Sequence, residues 1–79
     1  MPNNLEKSVF EVLIDVFPSL KNGQIDYDWG PNEINEWDSL NHLNLIMGLN
    51  EKFNIELEFE EIMSIETIHD IFSILKKKI

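Results

Sequence analysis

From Trp37 to Leu57 the chain reads Trp-Asp-Ser-Leu-Asn-His-Leu-Asn-Leu-Ile-Met-Gly-Leu-Asn-Glu-Lys-Phe-Asn-Ile-Glu-Leu. At about 100° per residue, Leu45, Ile46, Leu49 and Phe53 share one arc, which predicts a helix over 39–53 with that arc on the core. Leu40, Leu43 and Met47 share a second arc on its flank. This second arc is either more core or an exposed stripe for a partner. Asn41, Asn44, Gly48, Glu51 and Lys52 fill the polar side. Gly48 costs about 1 kcal/mol relative to alanine in a helix interior, so it reads either as a point of close packing or as space left for a bound group. Ser39 opens the pattern. Its hydroxyl is expected in solvent at the helix start, beside N–H groups without an intrahelical partner. A phosphate on that oxygen would sit at the positive end of the helix dipole.

Before this helix lies a predicted loop over 18–38, holding Pro18, Gly23, Gly30, Pro31 and scattered acids, with room for one short helical turn. Tyr27, Trp29, Ile34 and Trp37 are the side chains expected to pack it down. Trp37 reads as a core plug near Ser39 or as a partner contact. Ahead of the loop, Leu5, Val9, Val12, Leu13, Val16 and Leu20 recur at helical spacing, and Phe10, Ile14 and Phe17 widen the stripe. A helix over about 4–17 follows, capped by Asn3 with Glu6 and ended by Pro18.

After Leu57, Phe59, Ile62 and Met63 suit a short helix at about 59–63. Thr67 and Asp70 match a capping box, followed by Ile68, Ile71, Phe72 and Leu75 at i, i+3, i+4 and i+7. That predicts a last helix over about 67–77, with Lys76, Lys77 and Lys78 complementing its dipole. No strand alternation or internal repeat is present. The expected fold is all-α: one small acidic domain over 1–79, a bundle of three main helices and one short one.

Composition narrows the function. The 79 residues carry 15 acids against 6 lysines, a net charge of −9. Nucleic acid is not expected as a partner, because a polyanion needs a basic surface; a basic protein surface is. No cysteine is present, which removes disulfides, thiolate metal sites and a cysteine nucleophile. The longest unbroken apolar run is three residues, and no basic-then-apolar leader pattern opens the chain. A cytoplasmic monomer with no membrane span is expected.

Asp38, Ser39 and His42 invite a hydrolase reading, but no Gly-x-Ser-x-Gly elbow or oxyanion loop accompanies them. His42 reads as a half-buried packing residue and His69 as a solvated one. The run Asp26-Tyr27-Asp28-Trp29-Gly30 begins like a calcium loop. Its glycine comes one place early, Pro31 takes that slot, and Trp37 stands where the bidentate glutamate belongs. No metal site and no catalytic residue are expected.

The stretch from Trp37 onward resembles the acyl carrier protein family. Asp38-Ser39-Leu40 stands where that family carries its attachment motif. Leu45, Ile46, Met47, Leu49, Glu51 and Phe53 match its second-helix pattern, and Thr67 with Ile68 looks like the start of its last helix. The resemblance covers essentially the whole chain and is most specific over 36–57. It implies that Ser39 receives 4′-phosphopantetheine from coenzyme A through a phosphopantetheinyl transferase. The arm's thiol would then carry acyl groups as thioesters, since the chain has no thiol of its own. It further implies partner recognition by Asp38, apolar contacts beside the arm from Leu40, Leu43 and Met47, and an acidic contact from Glu51. The partners implied are acyl- or aminoacyl-loading and acyl-transferring enzymes with basic docking surfaces. A peptidyl or aminoacyl carrier is the near alternative; an unmodified helical adaptor is the alternative from a different class. Asn41, Asn44 and Asn50 depart from the family by standing where fatty-acid carriers typically hold acids. That departure leads to the expectation of a specialised pathway rather than housekeeping fatty-acid synthesis.

Overall fold

A computed structural model describes residues 4–23 and 25–78 of the chain. Among them every regular element is helical: α1 (Asn4–Val16), a 3-10 helix (Pro18–Asn22), α2 (Ser39–Phe53), α3 (Phe59–Ser64) and α4 (Ile68–Lys78). The expected capping residue Asn3 lies outside the described residues.

The three longer helices are built by their apolar stripes. Val9, Val12 and Leu13 of α1, Leu45, Ile46 and Leu49 of α2, and Ile68, Ile71, Phe72, Ile74 and Leu75 of α4 meet in one core. Each fully buried side chain of this kind contributes about 1.5–3 kcal/mol relative to exposure. α1 stops at Val16, one residue short of the expectation. Pro18 offers no N–H to continue the ladder, and Phe17 adopts φ −121°, ψ 80° before the proline. The chain then turns through the 3-10 helix and leaves it at Gly23, whose φ of +97° is left-handed.

α1 and α2 approach closely at Gly48. A Cβ there would lie 2.9 Å from Val12 Cγ1. Of the two readings of this glycine, close packing is therefore the one observed. α2 ends in a left-handed Asn54 (φ 54°, ψ 50°), and the N–H groups of Asn54 and Ile55 both donate to the Asn50 carbonyl. This is a helix stop made with asparagine in place of glycine. The Asn50 side chain also works here, with its Oδ1 accepting from the Leu57 N–H at 3.1 Å.

The segment between the 3-10 helix and α2 is packed down. Ile34 and Trp37 are buried, and Trp37 stacks on Phe17 with centroids 5.2 Å apart. Tyr27 stacks on Phe72 at 5.0 Å and meets Phe10 edge-on at 6.1 Å. Its phenol donates to the Glu6 carboxylate. Burial, and then that carboxylate, pushes the Tyr27 phenol up to about 12.

The same segment covers the start of α4. The Ile68 N–H donates to the Trp29 carbonyl at 3.0 Å and the His69 N–H to the Tyr27 carbonyl at 2.8 Å. Asp70 and Thr67 form the box expected from the sequence, Thr67 N–H to Asp70 Oδ2 at 3.1 Å and Asp70 N–H to Thr67 Oγ1 at 3.3 Å. Gly30 makes this docking sterically feasible, since a Cβ at its position would lie 2.2 Å from the Glu66 carbonyl oxygen.

Candidate functional site

The N-terminal turn of α2 is built differently. Asp38 is its cap, extended at φ −110°, ψ −174°, and its Oδ1 accepts from the Asn41 N–H at 2.8 Å. The Asp38 carbonyl takes the His42 N–H at 2.8 Å. The N–H groups of Ser39 and Leu40 have no acceptor within the helix, as geometry requires for first-turn residues. Ser39 is exposed, and its hydroxyl makes no hydrogen bond among the described residues.

This turn is held from behind. Glu36 accepts from the Ser19 hydroxyl at 2.5 Å and from the Ser19 N–H at 3.0 Å, and these bonds hold its carboxyl below the usual glutamate value. The Asn41 side chain donates to the Glu36 carbonyl at 2.7 Å, and Asn44 donates to Asn41 Oδ1 at 3.0 Å. Asn41, Asn44 and Asn50, read from sequence only as missing acids, thus each take part in the internal bonding around α2.

The second arc of α2 is not core. Leu40, Leu43 and Met47 are 69%, 55% and 60% exposed, and on α3 Phe59 and Met63 are 74% and 63% exposed. α3 buries none of its residues. Spacing alone assigns its apolar residues no direction; the structure turns Phe59 and Met63 out and leaves Ile62 half-buried. Five exposed large apolar side chains on two adjacent elements are more than the isolated instances ordinary on a protein surface.

Between α2 and α3 runs a groove of about 550 Å³ whose lining includes Trp37, Ser39, His42, Leu43, Phe59 and Met63. Its wall is mainly apolar, and Asp38 and Ser39 are among the residues that line it. Asp38, Ser39 and Leu43 are therefore brought to one place. Glu51 is exposed elsewhere on α2, beside a second, open groove that it lines with Glu11, Val12, Asp15, Gly48 and Lys52. There Lys52 Nζ pairs with a Glu11 carboxylate oxygen at 2.7 Å, which holds the Glu11 carboxyl below its ordinary value.

His42 is half-buried, and both of its ring nitrogens are engaged. Trp37 Nε1–H donates to Nδ1 at 2.9 Å, and Nε2 lies 2.9 Å from the Ile62 carbonyl. An indole N–H can only donate, so Nδ1 is the acceptor and the ring proton sits on Nε2, donating to Ile62. With this arrangement the ring has no free lone pair to offer Ser39. Sequence reasoning placed His42 as packing but missed this bridge, because its partners are an indole and a backbone carbonyl 20 residues away. Among the described residues no group of three or more His, Cys, Asp or Glu is arranged to hold a metal ion. No helix among them is long and apolar enough to cross a membrane. Compared with family models, curated proteins and solved structures, the chain gives no match.

Proposed function

We propose that this chain is a carrier protein of the acyl carrier type, with Ser39 as the attachment point of 4′-phosphopantetheine. The observation that carries the reading is the pairing of an exposed, unbonded Ser39 hydroxyl on the first residue of α2 with an apolar groove beside it. The residues present fit the group. Ser39 Oγ would bear the phosphodiester, and the Ser39 and Leu40 N–H groups oppose its charge at the positive end of the helix. Trp37, Leu43, Phe59 and Met63 offer an apolar wall to whatever lies beside it. The arm supplies the thiol that the cysteine-free chain lacks, on which acyl groups are held as thioesters.

Exposed Leu40, Leu43 and Met47 would meet the apolar part of a partner enzyme, and Asp38 and Glu51 would meet its basic groups. The partners are a phosphopantetheinyl transferase and acyl- or aminoacyl-loading enzymes. Asn41, Asn44 and Asn50 are spent on internal hydrogen bonds rather than on a charged flank. That supports service in a specialised pathway. If a ketoacyl synthase from fatty-acid synthesis turned the chain over as well as its own carrier, the specialised reading would fail.

The five exposed apolar side chains equally suit an unmodified adaptor. Intact mass after incubation with coenzyme A and a broad-specificity transferase separates the two. A carrier gains one phosphopantetheine, and Ser39→Ala abolishes the gain. A wild-type chain that gains nothing beside a carrier modified by the same transferase is an adaptor.

A further inference from the structure

We infer that His42 is the positioning residue of the groove: its neutral, Nε2-protonated ring keys α3 against α2 and so holds up the wall opposite Ser39. Apart from Ile62, half-buried against the core, α3 packs little of itself. It is six residues long and buries none of them. Isolated helices this short do not persist in water, so its position is set by tethers. One lies at its C-terminal turn, where the Ile62 carbonyl takes the His42 proton at 2.9 Å. A second comes from Glu61, whose carboxylate accepts the Glu58 N–H at 2.9 Å and pairs with Lys78 Nζ of α4 at 3.0 Å. The flanking Leu57 and Ile65 are buried and fix where the segment enters and leaves.

His42 differs from the other tethers in its anchorage. Its Nδ1 accepts from Trp37, which is 3% exposed and stacked on Phe17. The ring is thereby fixed to the core on one side and presents one proton to α3 on the other. Removing the ring leaves the buried Trp37 N–H without its acceptor and the Ile62 carbonyl with only the long bond from the Ile65 N–H at 3.5 Å. A buried donor left unpaired costs more than an ordinary hydrogen bond contributes. Phe59 and Met63, the exposed side chains of the far wall, sit on the helix that this bond positions.

The claim about α3 rests on geometry alone; its consequence for Ser39 rests on the carrier reading. The test compares His42→Leu, which keeps bulk but neither bond, with His42→Gln, whose amide again offers one acceptor and one donor. Amide hydrogen exchange is followed on the full, unmodified chain. In His42→Leu, the amides of residues 62–65 should exchange about tenfold faster, with a clearly smaller change in the central amides of α1 and α4. His42→Gln should recover most of the protection. A uniform acceleration across all helices, or no local change in α3, overturns the inference. Steady-state transfer by a broad-specificity transferase then reads the site. His42→Leu should raise KM for the chain severalfold with kcat nearly kept, and His42→Gln should reverse it. An unchanged KM overturns the groove-wall role. A wild-type chain that is never modified sinks the carrier reading instead, and the exchange result still decides His42.

Discussion

At the start of α4, the N–H groups of Ile68, His69 and Asp70 all have acceptors, two of them carbonyls of the long segment that precedes α2. At the start of α2, only the Asn41 N–H is capped by a side chain, and Ser39 and Leu40 face outward. Both helix starts have the same unmet need, set by backbone geometry. In α4 the chain meets it internally, and the result is a buried joint sealed by Tyr27, Phe72 and Gly30. In α2 the need is left open next to an unbonded hydroxyl and an apolar groove. A helix start closed by its own chain serves stability; one left open is available to something that arrives.

This contrast is most sharply broken at Gly30. Gly30→Ala should push the segment off Glu66 and cost about 3 kcal/mol by overpacking, read as a lower urea midpoint. Survival of full stability would mean that the segment is not docked on α4 as described. The next effect is a pH dependence at the same joint. The folded chain holds the Tyr27 proton more tightly than the unfolded chain does. Its contribution is therefore complete below pH 10 and is lost as pH rises from 10 towards 12. The loss should be about 1–2 kcal/mol, less than the full shift because the ring is partly in solvent. Urea unfolding across pH 8–11 should show a flatter profile for Tyr27→Phe than for the wild type.

Smaller effects compare the two caps directly. Thr67→Ala at α4 and Asp38→Ala at α2 should each cost about 1 kcal/mol in thermal or urea unfolding. A much larger loss for Asp38→Ala would show that the start of α2 is as structural as that of α4. The smallest effect is expected for Ser39→Ala, within about 0.5 kcal/mol, because the hydroxyl makes no bond among the described residues. Loss of the mass gain with stability unchanged would be the signature of a residue present for chemistry rather than folding.

The sequence made the helices legible because α1, α2 and α4 each carry an apolar stripe over at least three turns, and because Pro18 and the Thr67–Asp70 box are local signals. The outward turn of Phe59 and Met63 was not legible. In a six-residue helix the stripe is too short to say which side faces inward. The docking of residues 27–30 on α4 was hidden too, since it runs through backbone carbonyls, which leave no mark in side-chain identity. The Glu36–Ser19 contact joins residues 17 apart with no periodicity to announce it. At the candidate site, Ser39, Asp38, Leu40 and Leu43 could be picked out from their place in the α2 pattern. His42's bridge could not, because a histidine on an apolar arc reads as packing until its two nitrogens find their partners.

Trp37 carries one last consequence. Its indole is sealed in the core, yet its N–H ends on the imidazole that forms part of the groove's surface. The chain thus contains its own optical probe at the place of interest. Emission from this fluorophore, isolated by changing Trp29 to phenylalanine, would shift or quench when a guest disturbs the imidazole, so occupancy could be titrated without attaching a dye.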